Sequence, residues 1–461
     1  MNQNLVFDLD LIAKYDASGP RYTSYPTAVQ FNEQFDADAY KLAAKQSNSN
    51  GKALSLYFHI PFCDTVCFYC GCNKIATKDR SKAQPYLDRV YKELALQSEL
   101  FDTNRSVEQL HWGGGTPTFI SHAQMAELMQ QTAKYFKLLD DDSGEYSIEI
   151  DPREANAETI RLLREIGFNR MSLGVQDFDD QVQQAVNRIQ SEKQTLDVLE
   201  AARKEGFRSL SIDLIYGLPF QSVNSFEKTL DRVIEASPDR MSIFNYAHLP
   251  TLFKPQRRIN EDELPSAQEK LDILTMTADK LAQAGYVYIG MDHFAKPDDE
   301  LAVAQRQGSL YRNFQGYSTH AECDLIGIGI TSIGMVGPTY GQNLKTLDEY
   351  YETIDAGRLP VFRGLELNQD DLIRRDVITK LICNFSLIFS DIENSWSLNF
   401  ADYFGKEIEA LSDMAEDELI ALSDSGIDVM PKGRFLIRNI CMVFDHYITE
   451  QKSKQRFSKV I

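Results

Sequence analysis

The strongest constraint on this chain is a rhythm. From residue 54 onward, short apolar runs alternate with longer amphipathic runs. The strand-like runs cover 54–60, 107–112, 146–150, 170–175, 209–216 and 240–246. The helix-like runs cover 83–100, 121–136, 156–166, a stretch reaching about residue 205, 225–235 and 266–284. Ser121 stands where an N-cap belongs. Repeats of about 30–45 residues predict an α/β fold, six strands in a parallel sheet joined by helical crossovers.

Each strand-like run passes at once into a polar or glycine motif. The first enters a cysteine cluster and the second enters Gly113-Gly114-Gly115-Thr116. The third ends at Glu149 and Asp151, and the fourth at Gln176 and Asp177. The fifth contains Asp213, and the sixth ends at Asn245, Tyr246 and His248. Parallel α/β barrels gather their active sites at the C-terminal strand ends, so polar groups at all six ends predict one shared pocket.

The cysteines sharpen that expectation. Of seven, Cys63, Cys67, Cys70 and Cys72 crowd together, while Cys323, Cys383 and Cys441 are scattered. A disulfide framework would spread them. Cys383 and Cys441 sit in apolar stretches and read as buried structural thiols. A structural zinc site would want a second Cys/His pair at finger-like spacing, and none follows. A C-x3-C-x2-C loop can instead wrap three corners of a cubane iron–sulfur cluster and leave the fourth iron open for chemistry. Cys72 is too close to Cys70 to serve the same cubane easily, and is expected nearby and free.

Gly113–Thr116 lacks the Lys-Ser/Thr ending of a P-loop and is not G-x-G-x-x-G. It reads as a tight turn or as a backbone ledge offering main-chain groups to a ligand. The formal charge of −20, from 48 basic and 68 acidic residues, argues against general nucleic-acid binding. No uncharged apolar run of about 18 residues is present, so no membrane span is expected. The N-terminus, MNQNLVFDLDLIAKYD, carries acids where an export signal carries bases. The expected location is the cytoplasm and the expected state a monomer. Three regions are expected: an N-terminal arm or lid at 1–53, a catalytic domain at 54–364, and a mostly helical, winged-helix-like domain at 365–461 with a hairpin at 426–431.

Taken together, the cysteine loop after the first strand and the glycine stretch after the second resemble the radical S-adenosylmethionine (SAM) enzymes. A more specific resemblance, over essentially the whole chain, is to the oxygen-independent coproporphyrinogen III oxidase (dehydrogenase) family. It is carried by SGPRYTSYPTA, LYFHIPFCDTVCFYCGCNKI, LHWGGGTPT, SIEIDPRE, SLGVQDFDDQVQQAVNR, IDLIYGLP, FNYAHLP, MDHFAKPDDELAVAQ, RNFQGYST and RFSKVI. The resemblance implies a partial (β/α)6 radical-SAM barrel. It implies that Cys63, Cys67 and Cys70 hold one [4Fe-4S] cluster. It assigns Tyr57, Tyr69, Gly114, Glu149 and Ile333 to the SAM on that cluster. Gly115, Thr116, Gln176, Arg188, Asp213 and Ala247 are assigned to a second SAM. The implied reaction is oxidative decarboxylation of two propionates of coproporphyrinogen III to vinyl groups. Each step leaves one hydrogen on 5′-deoxyadenosine, one carbon dioxide, and one electron for an acceptor the sequence does not identify. A low-potential donor such as a flavodoxin or ferredoxin is the implied partner.

The substrate is a tetracarboxylate and the chain is acidic, so binding needs local cations. Arg21 and Lys74 are the leading candidates, with Arg153, Lys296, Arg306 and Arg312 also in or beside the matched stretches. Two other readings compete. A haem-binding chaperone branch of the same family typically lacks the arm and the C-x-C ending, both present here. A zinc protein with a winged-helix regulator would be colourless where an iron–sulfur protein is brown.

Overall fold

The computed structural model describes residues 5–15, 17–320 and 323–448. The tail motif RFSKVI lies outside the described residues. The chain divides into two compact units that are discontinuous in sequence. One comprises Phe31–Ser266 and Glu322–Glu366; the other comprises Met1–Gln30, Ala267–Ala321 and Leu367–Ile461.

The first unit is built on β1 (Leu54–Ile60), β2 (Ser106–Gly114), β3 (Glu145–Ile150), β4 (Arg170–Gln176), β5 (Ser209–Tyr216) and β6 (Arg240–Asn245). They lie side by side in the order β6-β5-β4-β3-β2-β1, all parallel. Helices Ala83–Ser98, His122–Tyr135, Ala157–Glu165, Glu192–Lys204 and Val223–Ala236 form the crossovers. Four of the five begin on a serine or asparagine N-cap, and Ser121 closes a capping box with Gln124. The stretch before residue 205 resolves into two helices, because Asp179 and Ser191 each cap a separate start.

A seventh parallel strand was not legible. β7 (Asp324–Ile328) pairs with the free edge of β1, Leu54 opposite Asp324. From it the sheet continues antiparallel through β8 (Ile333–Val336), β9 (Thr339–Asn343) and β10 (Val361–Glu366). β7 is short, lies far along the chain and carries no polar motif at its end.

The second unit contains helix Gln369–Asn384 and a three-stranded antiparallel sheet of Ser386–Ile388, Gly426–Val429 and Ile420–Ser423. The hairpin expected at 426–431 is therefore real but begins earlier, at Ile420. The proposed arm is the larger departure. Residues 18–27 are not a free lid within this unit. Tyr22 and Tyr25 are buried, the Tyr22 hydroxyl donates to Asp445 at 2.9 Å, and the Tyr25 hydroxyl accepts from the His446 N–H. Arg438 donates to the carbonyls of Gly19 and Pro20. Residues 31–53 instead belong to the sheet unit, through helix Ala37–Ser47. Turn-rich tyrosine sequence reads as an arm or lid rather than core, but here buried aromatic area outweighs turn composition.

Candidate active site at the ends of the parallel strands

Parallel register and the two-residue period of strands put one row of polar side chains on a single face of the sheet. Tyr57 on β1 lies opposite His111 on β2, which lies opposite Ser147 on β3. Glu149 lies opposite Ser172, and Asp213 opposite Gly174 and Ser242. The row is joined by contacts. Tyr57 stacks on His111 with ring centroids 5.8 Å apart, and His111 meets Ser147 Oγ at 2.6 Å and Glu149 Oε1 at 3.4 Å. Ser172 donates to Asp213 at 2.6 Å.

At the strand ends this face opens into a cavity of about 180 Å3, lined by polar and sulfur-bearing side chains that converge on it. Cys63, Cys67, Cys70 and Cys72 border it together with Tyr69, Lys74, Gly114, Gly115, Thr116, Glu149, Asp151, Arg153, Gln176, Arg188 and Asp213. Five strands thus converge on one pocket. The sixth end does not: Tyr246 packs into an apolar cluster with Val182, Val186, Leu218 and Ile259. Tyr57, Ala247 and Ile333 also lie outside the lining. The Ala247 carbonyl accepts from Gln256 Nε2, which also donates to the carbonyl of Tyr69 in the cysteine loop.

That loop is pinned from several sides. Phe68 N–H donates to Val186 O, Asn187 Nδ2 to Val66 O, Ile75 N–H to Pro61 O and Thr77 N–H to Cys63 O. Gln256 was invisible in the sequence, since a lone amide carries no motif, and Asn187 stood in a matched stretch without an assigned role. His59 and His111 were missed too, although alternation along β1 and β2 was a usable signal. His59 is buried, its pKa is lowered by that burial, and Nε2 faces Asn73 O at 3.0 Å.

The N–H groups of the glycine stretch are not available to a ligand. Gly114 N–H donates to Glu149 Oε2, Gly115 N–H to Ile60 O and Thr116 N–H to Phe62 O, so these donors are spent internally. A Cβ on Gly115 would meet the Pro61 and Phe62 backbone at 2.8 Å, and one on Gly114 the His59 ring at 2.7 Å. Gly114 also has φ of +113°. The glycines let β2 close against the start of the cysteine loop.

Charges in the cavity are unevenly matched. Asp151 takes Arg153 at 2.6 Å and Arg188 at 3.1 Å. Burial alone would raise Glu149, yet the His111 hydrogen bond and the Gly114 N–H hold its pKa below the ordinary value. Burial pushes Asp213 up to about 6, against the hydrogen bonds from Ser172 and Ser242. Cys63 is pushed up to about 11 by burial, whereas Cys70 is held down by its hydrogen bond to Cys72 and the charge of Lys74. Gln176 Oε1 and Arg188 Nε are buried without a partner.

These features fit an iron–sulfur cluster with a polar ligand beside it. Three soft sulfurs border one cavity, and each has a donor close by: Thr116 for Cys63, Arg153 and Arg188 for Cys67, Lys74 for Cys70. Of the remaining cation candidates, Arg21 is paired with Asp292 at 3.0 Å and Arg306 donates to Pro297 O. Arg312 is buried, with Nε and Nη1 unpartnered. Those three and Lys296 belong to the second unit and are not among the cavity lining.

A parallel sheet that delivers three cysteines to an open cavity defines a radical SAM enzyme, and the Radical SAM superfamily pattern matches residues 57–233. The HemN C-terminal domain pattern matches residues 367–436. The oxygen-independent coproporphyrinogen III oxidase of Pseudomonas aeruginosa is 54% identical over 461 residues, covering all of both chains. The Escherichia coli enzyme of the same name is 52% identical over 459 residues, covering 100% of this chain and 99% of that one. The solved structure of coproporphyrinogen III oxidase (HemN) from Escherichia coli, a radical SAM enzyme, superimposes with a TM-score of 0.91 at 51% identity, covering 96% of this chain and 100% of that one. The chain belongs to the oxygen-independent coproporphyrinogen III oxidase family, whose radical SAM chemistry uses a [4Fe-4S] cluster and SAM.

Proposed function

We propose that the chain converts two propionate side chains of coproporphyrinogen III to vinyl groups, giving protoporphyrinogen IX without oxygen. The observation that carries this reading is the convergence of Cys63, Cys67 and Cys70 on one cavity, in a chain more than half identical to an oxidase of that name. Cys63, Cys67 and Cys70 would hold a [4Fe-4S] cluster, which would supply the electron for reductive cleavage of SAM.

The chain's own part is to bind, orient and shield. Glu149 and the Gly114 region offer a carboxylate and carbonyls to the amino-acid end of SAM. Tyr57, stacked on His111, shapes the Glu149 side of the site from outside the lining, and Ile333 is likewise outside it. Gly115, Thr116, Gln176, Arg188 and Asp213 form the wall for a second SAM. The free Gln176 oxygen and the free Arg188 N–H are the groups there that still need partners. Ala247 is tied through Gln256 to the Tyr69 carbonyl in the cysteine loop. Lys74 is committed to the cysteine loop, where its Nζ donates to Cys70 O at 3.1 Å. Arg21 remains the propionate cation of choice. A low-potential carrier of the flavodoxin or ferredoxin class supplies electrons, and the protein acts as a cytoplasmic monomer. Among the described residues no helix is long and apolar enough to cross a membrane.

The test is an anaerobic reaction with SAM, a reductant and coproporphyrinogen III, with substrate-free SAM cleavage subtracted. About two 5′-deoxyadenosine and two carbon dioxide are expected per protoporphyrinogen, because no step returns the abstracted hydrogen. A ratio near one would mean SAM is shared or recycled. Haem binding without porphyrinogen turnover would favour the chaperone reading.

A further inference from the structure

The three cluster sulfurs do not have equal surroundings. Cys63 Sγ accepts from Thr116 Oγ1, a neutral hydroxyl, at 3.4 Å. Cys67 Sγ receives Arg188 Nη1 at 3.5 Å and Arg153 Nη2 at 3.7 Å. One carboxylate, Asp151, serves both guanidiniums. Two positive charges against one negative leave this corner with a net positive charge, and it is nearly closed to solvent. Side-chain exposure is 16% for Arg153, 8% for Arg188 and 9% for Asp151.

Arg153 sits there by construction. It lies in the short 3-10 turn Pro152–Glu154 that follows β3, where Asp151 caps the turn by accepting the Arg153 N–H at 3.0 Å. The same carboxylate grips Nε at 3.0 Å and Nη2 at 2.6 Å. The fork is thereby fixed, and Nη2 is left aimed at Cys67. A residue first read as a propionate ligand is thus already committed, on both sides, to a carboxylate and a sulfur.

We infer that Arg153 is a positioning residue for electron entry: held by Asp151 against Cys67 Sγ, it raises the reduction potential of the cluster. The inference rests on the cluster reading given above. A [4Fe-4S] cluster on three thiolates carries one net negative charge when oxidised, and reduction adds a second without forming or breaking a bond. The electron comes from a low-potential carrier. A fixed cation and a hydrogen bond at the sulfur favour the more negative form, and a low-dielectric wall magnifies both. Arg188 adds to the same field, but it also faces the second SAM wall, so Arg153 isolates the effect.

The experiment is an anaerobic redox titration of the iron-loaded, SAM-free protein with dithionite, followed by the electron paramagnetic resonance of the reduced cluster. Arg153→Gln is expected to lower the reduction equilibrium constant at least tenfold, which is about 59 mV for one electron. Arg153→Lys keeps the charge but not the fork, and should recover part of that loss. Asp151→Asn removes the neutralising charge and should move the potential in the opposite direction. A merely structural role would change stability or iron content without this pattern of signs. An unmoved potential in iron-loaded Arg153→Gln overturns the inference. If that variant does not hold iron, Asp151→Asn decides alone: a higher potential supports the inference, and an equal or lower one ends it. Failure of the wild-type protein to bind iron at all would instead end the cluster reading itself.

Discussion

Two buried polar clusters in the sheet unit use similar residues to different ends. Behind β7, Glu93 is fully enclosed and accepts from Gly329 N–H at 2.8 Å, Asn343 Nδ2 at 2.7 Å and Tyr350 OH at 2.5 Å. Asn343 also reaches the Gly329 carbonyl and Ser332 Oγ, each at 3.0 Å. At the cavity, Asp151, Arg153 and Arg188 close round Cys67, with unpartnered atoms on Gln176 and Arg188 and two positive charges against one negative. A closed network locks one loop in one place. An open one keeps unmet valences for something that arrives later. Burial of a carboxylate therefore does not mark a functional site; what remains unsatisfied around it does.

That contrast can be broken at either cluster. Serine at Cys63, Cys67 or Cys70 should remove most bound iron while leaving the fold intact, because a hydroxyl is a poor ligand for this metal centre. Iron and sulfide assay with circular dichroism separates the two outcomes. At the closed network the loss should appear in stability instead. Glu93→Leu strands three donors in the interior and should cost about 3–5 kcal/mol in denaturant unfolding, since each orphaned group costs roughly 1–3 kcal/mol. Burial raises Glu93 to about 7 despite those donors. A carboxyl raised in the folded state stabilises fully below its unfolded value and loses that contribution as pH rises through 7. The wild-type protein should therefore lose up to about 3 kcal/mol between pH 5 and pH 8, a slope the leucine variant lacks.

Between the extremes stands the glycine that joins strand to cysteine loop. Gly115→Ala should cost about 2 kcal/mol and loosen iron retention, because its methyl group meets backbone that cannot give way. Undiminished stability and iron would restore the ledge. Asp213→Asn should stabilise the SAM-free protein by about 2 kcal/mol at pH 8, after allowing for its exposure to the cavity. The gain should vanish below pH 4, where both forms are neutral, because the folded value of about 6 lies above the unfolded one. Thermal unfolding across that range measures it. Smallest of all, Cys72→Ser should leave iron content unchanged; loss of iron there would rewrite the ligand set.

What the sequence disclosed follows the same division. The six parallel strands were readable because each pairs a run of core residues with a polar end, and local patterning carries that signal. The cysteine cluster was readable as a motif, whereas Arg188 came only with the family resemblance and is found, with Thr116 and Gln176, in the cavity lining. β7 was not, since its place beside β1 depends on a distant pairing with no local mark. Arg153 was legible as a cation but not as a partner of Cys67, because only the turn after β3 aims it. The buried Tyr22 and Tyr25 hid behind glycine and proline, which announce a turn whether or not its aromatic side chains are enclosed.

The seventh strand has a consequence during synthesis. β1 is translated early, yet the partner for one of its edges emerges only after β2 to β6 have all been made. Until then that edge is an unpaired template beside the cysteine loop, open to pairing with a neighbouring nascent chain. Long-range closure of this kind also slows folding. The cell must therefore protect a half-made sheet for as long as the ribosome takes to reach β7, and a pause in translation before that point would be paid in aggregated, iron-free protein.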